Sequence, residues 1–243
     1  MLPESDNNEI AAGWDHMHKY SPAPRHRRNI IIKMLDKIKF SNCLDAGCAQ
    51  GYLLHDIVKR YQVKGFGCDI SCKVINANRA NDPDCEFSVI NLETESWPHE
   101  MKFDVIVSSE VIEHIKDWQS AIKNLISMTG KYLLITVPGG NLRTIDKMVG
   151  HHRHFNGPEL IAEITQYGFS CELTRHGFPM HSLYKKLINF IMPQKIYEDF
   201  SGIRSYTFSQ RLISQCIYYL FFVNYFFRGG EQLFVLAKRV DSE

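Results

Sequence analysis

The chain of 243 residues has almost no surplus charge, with 28 lysines and arginines against 27 aspartates and glutamates for a formal +1. A protein that follows a nucleic-acid backbone needs a broad basic face, so this balance excludes an extended nucleic-acid partner. Paired cysteines are missing as well. Seven cysteines stand singly with no Cys-x-x-Cys among them, the usage of a reduced, cytoplasmic protein. The opening residues, Met1 to Glu9, are polar and acidic, and no secretory signal is expected there. There is no internal repeat and no long apolar run. The most apolar stretch, Cys216–Val223 with Tyr225–Phe227 beyond Asn224, has sixteen residues between Arg211 and Arg228. A spanning helix needs about 20 mostly apolar residues. The stretch therefore reads as a buried or interfacial helix, with peripheral membrane contact the minor alternative. A dinucleotide fingerprint is absent too: G-x-G-x-x-G starting at Gly47 would need its third glycine at 52, which is Tyr52.

What is present is a rhythm of short apolar runs, each followed by a glycine or an acid and then a helical pattern. That rhythm predicts alternating β and α units around a parallel sheet. Strands are expected at 42–46, 64–69, 86–90, 103–108, 131–137, 169–175 and 232–238. Helices are expected at 27–39, 51–61, 72–79, 118–128 and 158–167. In the first of these, Ile30, Ile31, Met34, Leu35 and Ile38 fall on one face. Residues 1–24 read as a polar arm ending at the helix-hostile Ser21-Pro-Ala-Pro24. The stretch 176–230 reads as an insertion rich in Phe and Tyr. The whole is a single domain of residues 1–243, with 1–28 as an arm or lid.

The most informative loop is Asp45-Ala-Gly-Cys-Ala-Gln-Gly51, between the first strand and its helix. Small residues at 47, 49 and 51 let the backbone turn tightly and let a ligand approach it. A carboxylate two residues before the first glycine is wrong for pyrophosphate and right for an ammonium group. Asp69 closes the second strand, where a carboxylate can accept hydrogen bonds from two ribose hydroxyls.

Together with Cys68-Asp69-Ile70, Phe103–His114, Tyr132–Pro138 and His154–Leu160, this loop resembles the class I S-adenosylmethionine (SAM)-dependent methyltransferases. The resemblance covers about residues 25–175 and the final strand. It implies a Rossmann-like α/β sheet of seven strands in the order 3-2-1-4-5-7-6, the last strand antiparallel, with helices on both faces and the aromatic-rich helical insertion before that strand. It also implies that Asp45, Gly47, Cys48 and Gly51 line the methionine half of SAM, the cosubstrate. Asp69 would hold the ribose, Ile70 would cover the adenine, and Asn91 and Leu92 would meet its edge. Ser109 and Glu110 would lie beside the sulfonium. The chain departs from the family at Ala49, where a middle glycine is usual; one added methyl is expected to be tolerated.

Methyl transfer to a hydroxyl is helped by a base, and histidine suits that work near neutral pH. The candidates are His114, His151, His152 and His154, with His114 and His152 preferred. The basic stretch 16–28 offers Arg25, His26 or Arg28 to the SAM carboxylate or to an anionic acceptor, Arg25 being preferred. Phe178, Met180, Tyr184, Phe190, Ile191, Met192 and the run 218–227 are expected either to wall an apolar acceptor pocket or to form a subdomain core or a dimer contact. The leading function is O-methylation of a small-molecule or glycan intermediate. The Glu-x-x-Glu-His stretch at 110–114 is similar to one in metal-assisted RNA 3′-terminal methyltransferases, which makes that activity an alternative. In it Glu110, Glu113, His114 and a histidine from 151–154 would hold a divalent ion, though a metal-free role for His114 is preferred. A SAM-binding module without turnover is the third reading.

Overall fold

The computed structural model describes residues 15–98, 101–191, 206–227 and 229–240. The first part of the expected arm and the middle of the insertion lie outside them.

Seven strands form one sheet: β1 Asn42–Ala46, β2 Lys64–Asp69, β3 Glu86–Val89, β4 Phe103–Ser109, β5 Thr129–Pro138, β6 Phe169–His176 and β7 Gln232–Arg239. Their order is β3-β2-β1-β4-β5-β7-β6, with β7 antiparallel to both neighbours and the other pairs parallel. The helices are α1 Asp15–Tyr20, α2 Pro22–Leu35, α3 Tyr52–Tyr61, α4 Cys72–Asn81, α5 Trp118–Met128, α6 Thr144–Met148, α7 Gly157–Thr165, α8 Met180–Ile191 and α9 Phe208–Leu220.

Strand alternation explains the layers. In β1, Leu44 and Ala46 point into one core with Ile106, Leu133 and Ile135. Cys43 points into the other, with Val105, Val107 and Leu134, against Ile30, Ile31 and Leu35 of α2. Both faces of the central strands are therefore covered, as near-continuous apolar strands require. The order reverses at β1, whose neighbours are β2 and β4, and open α/β sheets bind ligands at the carboxyl ends beside such a reversal.

The expected break at Ser21–Pro24 is a helix start instead. Ser21 is extended and Pro22 opens α2, so the helix begins five residues before Arg27. Backbone N–H groups of a first helical turn have no intrahelical acceptor, and proline there forfeits nothing. Ahead of it, α1 replaces part of the expected arm. The short α6, at Thr144–Met148, corresponds to no expected element.

Candidate active site

A cleft opens at the carboxyl ends of β1 and β4, with about 410 Å³ of space including its mouth. Its floor is the loop after β1. Gly47 has φ +82° and would place a Cβ only 2.3 Å from Val111 Cγ2, so glycine is required there. Ala49 has φ +43°. The loop accommodates the extra methyl in a left-handed conformation, which costs an L-residue about 1–2 kcal/mol.

Asp45 is 2% exposed in this floor. Burial first, and then Asp69, raise its pKa to about 7, while a hydrogen bond from the Leu54 backbone and the Arg28 guanidinium oppose the rise. Asp69 accepts from Ala49 N at 3.1 Å and Ser71 N at 2.9 Å, and burial raises its pKa as well. The first of these bonds ties the glycine loop to the end of β2. Ile70, the next residue, is 57% exposed. Asn91 caps its own turn, accepting from Glu93 N at 3.0 Å. Leu92 is buried, and its carbonyl accepts from Asn124. Cys48 faces the cleft and also packs with Leu54, Ile75 and Phe87. Burial raises its thiol well above the ordinary range, which makes it a poor nucleophile.

The basic wall comes from α2, and here the sequence reading needs correcting. Pro24, Arg27 and Arg28 line the cleft, being neighbours at spacings of three and four. Arg25 points elsewhere: its guanidinium donates to Gln215 Oε1 at 2.9 Å and lies 3.8 Å from the Tyr218 ring centre. His26 is 1% exposed and packs on Phe221 and Tyr225. Arg27, which the sequence reading passed over, donates to Ser109 Oγ at 3.2 Å and lies 3.4 Å from Glu110 Oε2. No periodic signal tells one arginine in Arg-His-Arg-Arg from the next without knowing where the helix begins.

Beyond β4 the chain turns through Glu110, at φ +57°, into a 3-10 turn at Ile112–His114. That reversal separates Glu110 from Glu113 and His114. Glu110 goes to Arg27 and Thr136. Glu113 is fully buried and, among the described residues, neither of its carboxylate oxygens has a hydrogen-bond partner. Burial, then Glu110, push its pKa well above the usual carboxylate range. The His114 ring stands edge-on to His151 at 4.7 Å, and His151 Nδ1 lies 3.3 Å from His154 Nε2. Asp146 closes the row, 3.3 Å from His154 Nε2 and 3.7 Å from Lys185 of α8. Burial lowers the pKa of all three histidines, that of His151 to about 2, and the nearby cations Lys185 and Arg27 lower His151 further.

The structure thus brings together His114, His151 and His154. It leaves His152 exposed, with only its backbone N–H engaged, donating to the Glu113 carbonyl at 2.8 Å. The preference for His152 over its neighbours is corrected accordingly, because the turn after α6 rotates 151 and 154 inward. Two groups in this cluster have donor atoms within 4.8 Å of one another: Glu113, His114 and His151, and Asp146, His151 and His154. Neither contains Glu110, which the expected metal set included. Asp146, contributed by α6, gave no sequence signal.

The comparisons with known proteins agree with this architecture. A family model described as a methyltransferase domain matches residues 16–182. A ubiquinone biosynthesis O-methyltransferase of Hydrogenovibrio crunogenus is 28% identical over 126 residues, 47% of this chain, and the match spans half the length of that relative. Among solved structures, the N-methyltransferase NodS from Bradyrhizobium japonicum WM9, in complex with S-adenosyl-L-homocysteine, is 19% identical. Its TM-score is 0.57, over 71% of this chain and 88% of that one. A putative sarcosine dimethylglycine methyltransferase from Galdieria sulphuraria is 12% identical with TM-score 0.61, over 91% and 86%. Glycine loop, strand order and family match converge: the chain belongs to the class I SAM-dependent methyltransferases.

Proposed function

We propose that this methyltransferase acts on a hydroxyl of a small-molecule acceptor. The observation that carries the reading is the row of imidazoles His114, His151 and His154 just beyond β4, the strand whose last residue, Ser109, lines the cleft proposed for SAM. The fit to SAM rests on Asp45, a buried carboxylate that a bound ammonium group would hold in its ionised form, and on a loop whose Gly47 leaves no room for a Cβ. Asp69 would take the ribose hydroxyls on the lone pairs its two backbone bonds leave free, with Ile70 over the adenine and Asn91 and Leu92 at its edge. Arg27 and Arg28 would meet the carboxylate end. When bound, SAM supplies a methyl group on a positively charged sulfur, and the bond from carbon to the acceptor oxygen forms as the carbon–sulfur bond breaks.

The chain's own part is alignment and proton removal. Positioning of acceptor against methyl supplies several kcal/mol of the barrier. The neutral His114 imidazole takes the hydroxyl proton, and His151, edge-on to it, fixes the ring. The decisive experiment offers labelled SAM to phenolic and glycan hydroxyl acceptors and compares the protein with His114→Ala. Transfer that persists at full rate in the variant removes the base.

One observation favours a metal-assisted version. Glu113, with two unpartnered oxygens, shares a donor cluster with His114 and His151, a set suited to a divalent ion that would lower the acceptor's pKa. Exhaustive chelation separates the two versions: activity that survives it belongs to the base alone.

A further inference from the structure

The insertion carries its apolar side chains outward. Among the described residues, every large hydrophobic side chain that stands exposed lies between 178 and 227, except Ile70, Val89 and Val240. The pattern is regular. In α8, Leu183, Leu187 and Phe190 recur at helical spacing and are 57%, 52% and 89% exposed. In α9, Phe208, Leu212 and Tyr219 do the same at 84%, 57% and 63%. A surface helix of a globular protein ordinarily turns such a stripe inward. The inward faces here are already occupied. His181 and Tyr184 of α8 pack on Phe221. In α9, Ser214 is buried, Gln215 accepts from Arg25, and Tyr218 is hydrogen-bonded to Asn29. Both helices pack against the 3-10 segment Phe221–Phe226, and exposed apolar side chains gathered on one such unit mark a docking site.

Charge identifies the occupant. The described parts of the insertion, 176–191 and 206–227, contain no aspartate or glutamate; Lys185 is turned inward to Asp146, while Lys186 and Arg211 stand exposed beside Leu187 and Leu212 of the stripes. A second copy of the chain docked about a two-fold axis would meet these cations with its own. A membrane surface bearing anionic lipid supplies the missing sign. Tyr219 is of the type that settles at the headgroup boundary, and leucine and phenylalanine are the side chains an interfacial helix buries beneath it. Among the described residues no helix is long and apolar enough to cross a membrane, so the helices would lie in the interface rather than span it.

We propose that the outward faces of α8 and α9 seat the protein on an anionic lipid bilayer. The placement is purposeful, because α8 bears its apolar stripe on one side and Lys185, 3.7 Å from Asp146, toward the histidine cluster on the other. A docked bilayer would thus lie one helix away from that cluster.

Co-sedimentation of the full-length protein with vesicles tests this, together with sedimentation velocity in their absence. The expected result is binding to vesicles of equal parts phosphatidylcholine and phosphatidylglycerol, little binding to phosphatidylcholine alone, and release by salt. The double variant Leu187→Gln, Leu212→Gln should bind about 100-fold more weakly, each leucine being worth about tenfold when buried. Lys186→Gln should bind about fivefold more weakly. All these positions are exposed, so thermal midpoints and SAM affinity should stay as in the parent. Equal binding to both vesicle types, absence of binding to either, or full binding by the double variant would each overturn the proposal. So would a dimer, formed without lipid, that the double variant dissociates; that outcome assigns the stripes to a second copy.

Discussion

At the carboxyl end of β1 the groups of the cleft floor come from one short stretch of chain, from Asp45 to Leu53, and backbone conformation places nearly all of them. Around Glu113 the groups come from four separate segments, the 3-10 turn, α6, the loop after it and α8, and side chains do the placing. The first region is a loop that any ligand of the right chemistry finds ready. The second depends on tertiary packing holding distant residues together. Substitutions in the first should therefore act on affinity, and substitutions in the second on rate.

The sharpest test of that division is His114→Ala. Loss of a positioned base should lower the methyl-transfer rate about 10²–10⁴-fold while SAM affinity, read by calorimetry, stays within about twofold. A variant that loses affinity as much as rate would erase the distinction.

Next in size is Asp45→Asn, which should weaken SAM binding roughly 10–100-fold by removing a charge-assisted partner. Its pH dependence is specific. The folded-state pKa of about 7 lies above the unfolded value, so the folded protein holds a proton that the unfolded chain has released. Ligand-free stability should fall as pH rises from about 4 to about 7 and then level off, and the Asp45→Asn variant should lack that slope. SAM affinity should climb over the same approach to pH 7 in the parent and stay flat in the variant. Thermal melts and calorimetry at several pH values would show both.

Asp69→Ala should cost SAM affinity at least about tenfold. It also removes the acceptor for Ala49 N and Ser71 N, so its melting point should fall as well. The smallest effect belongs to Ala49→Gly. Relief of the left-handed conformation at φ +43°, less the added freedom of the unfolded chain, should stabilise the protein by about 0.5–1 kcal/mol. Thermal melting would register a rise of about 2 °C; a fall would mean that the alanine methyl makes a contact worth more than the strain.

Sheet order and strand positions were legible from the sequence because apolar runs and their punctuation are local signals, and the family resemblance supplied the arrangement. The same holds for the loop at 45–51. Three things were not legible, each for a physical reason. Proline at 22 and 24 looks like a helix breaker until Ser21 is known to be the residue before the first turn. The choice among Arg25, Arg27 and Arg28 followed that same boundary, since a helix expected to begin at 27 assigns no face to residue 25. Which of His151, His152 and His154 faces inward depends on the reversal at Gly150, with φ +91°, a feature of tertiary path rather than of pattern. The insertion shows the reverse failing: its amphipathic periodicity is visible, but periodicity does not say which face meets the protein.

The place of β7 between β5 and β6 has a consequence for biosynthesis. β6 makes its strand pairing with β7 rather than with β5, and in chain order the whole aromatic insertion is synthesised before β7 exists. On an elongating chain, β5 thus offers an open antiparallel edge while phenylalanines and leucines of α8 and α9 have already emerged. An unpaired strand edge next to uncovered apolar surface is the combination from which aggregates start. The yield of native protein should therefore be decided in the interval between making the insertion and closing the sheet, a stage at which the catalytic half of the molecule already has every strand it needs.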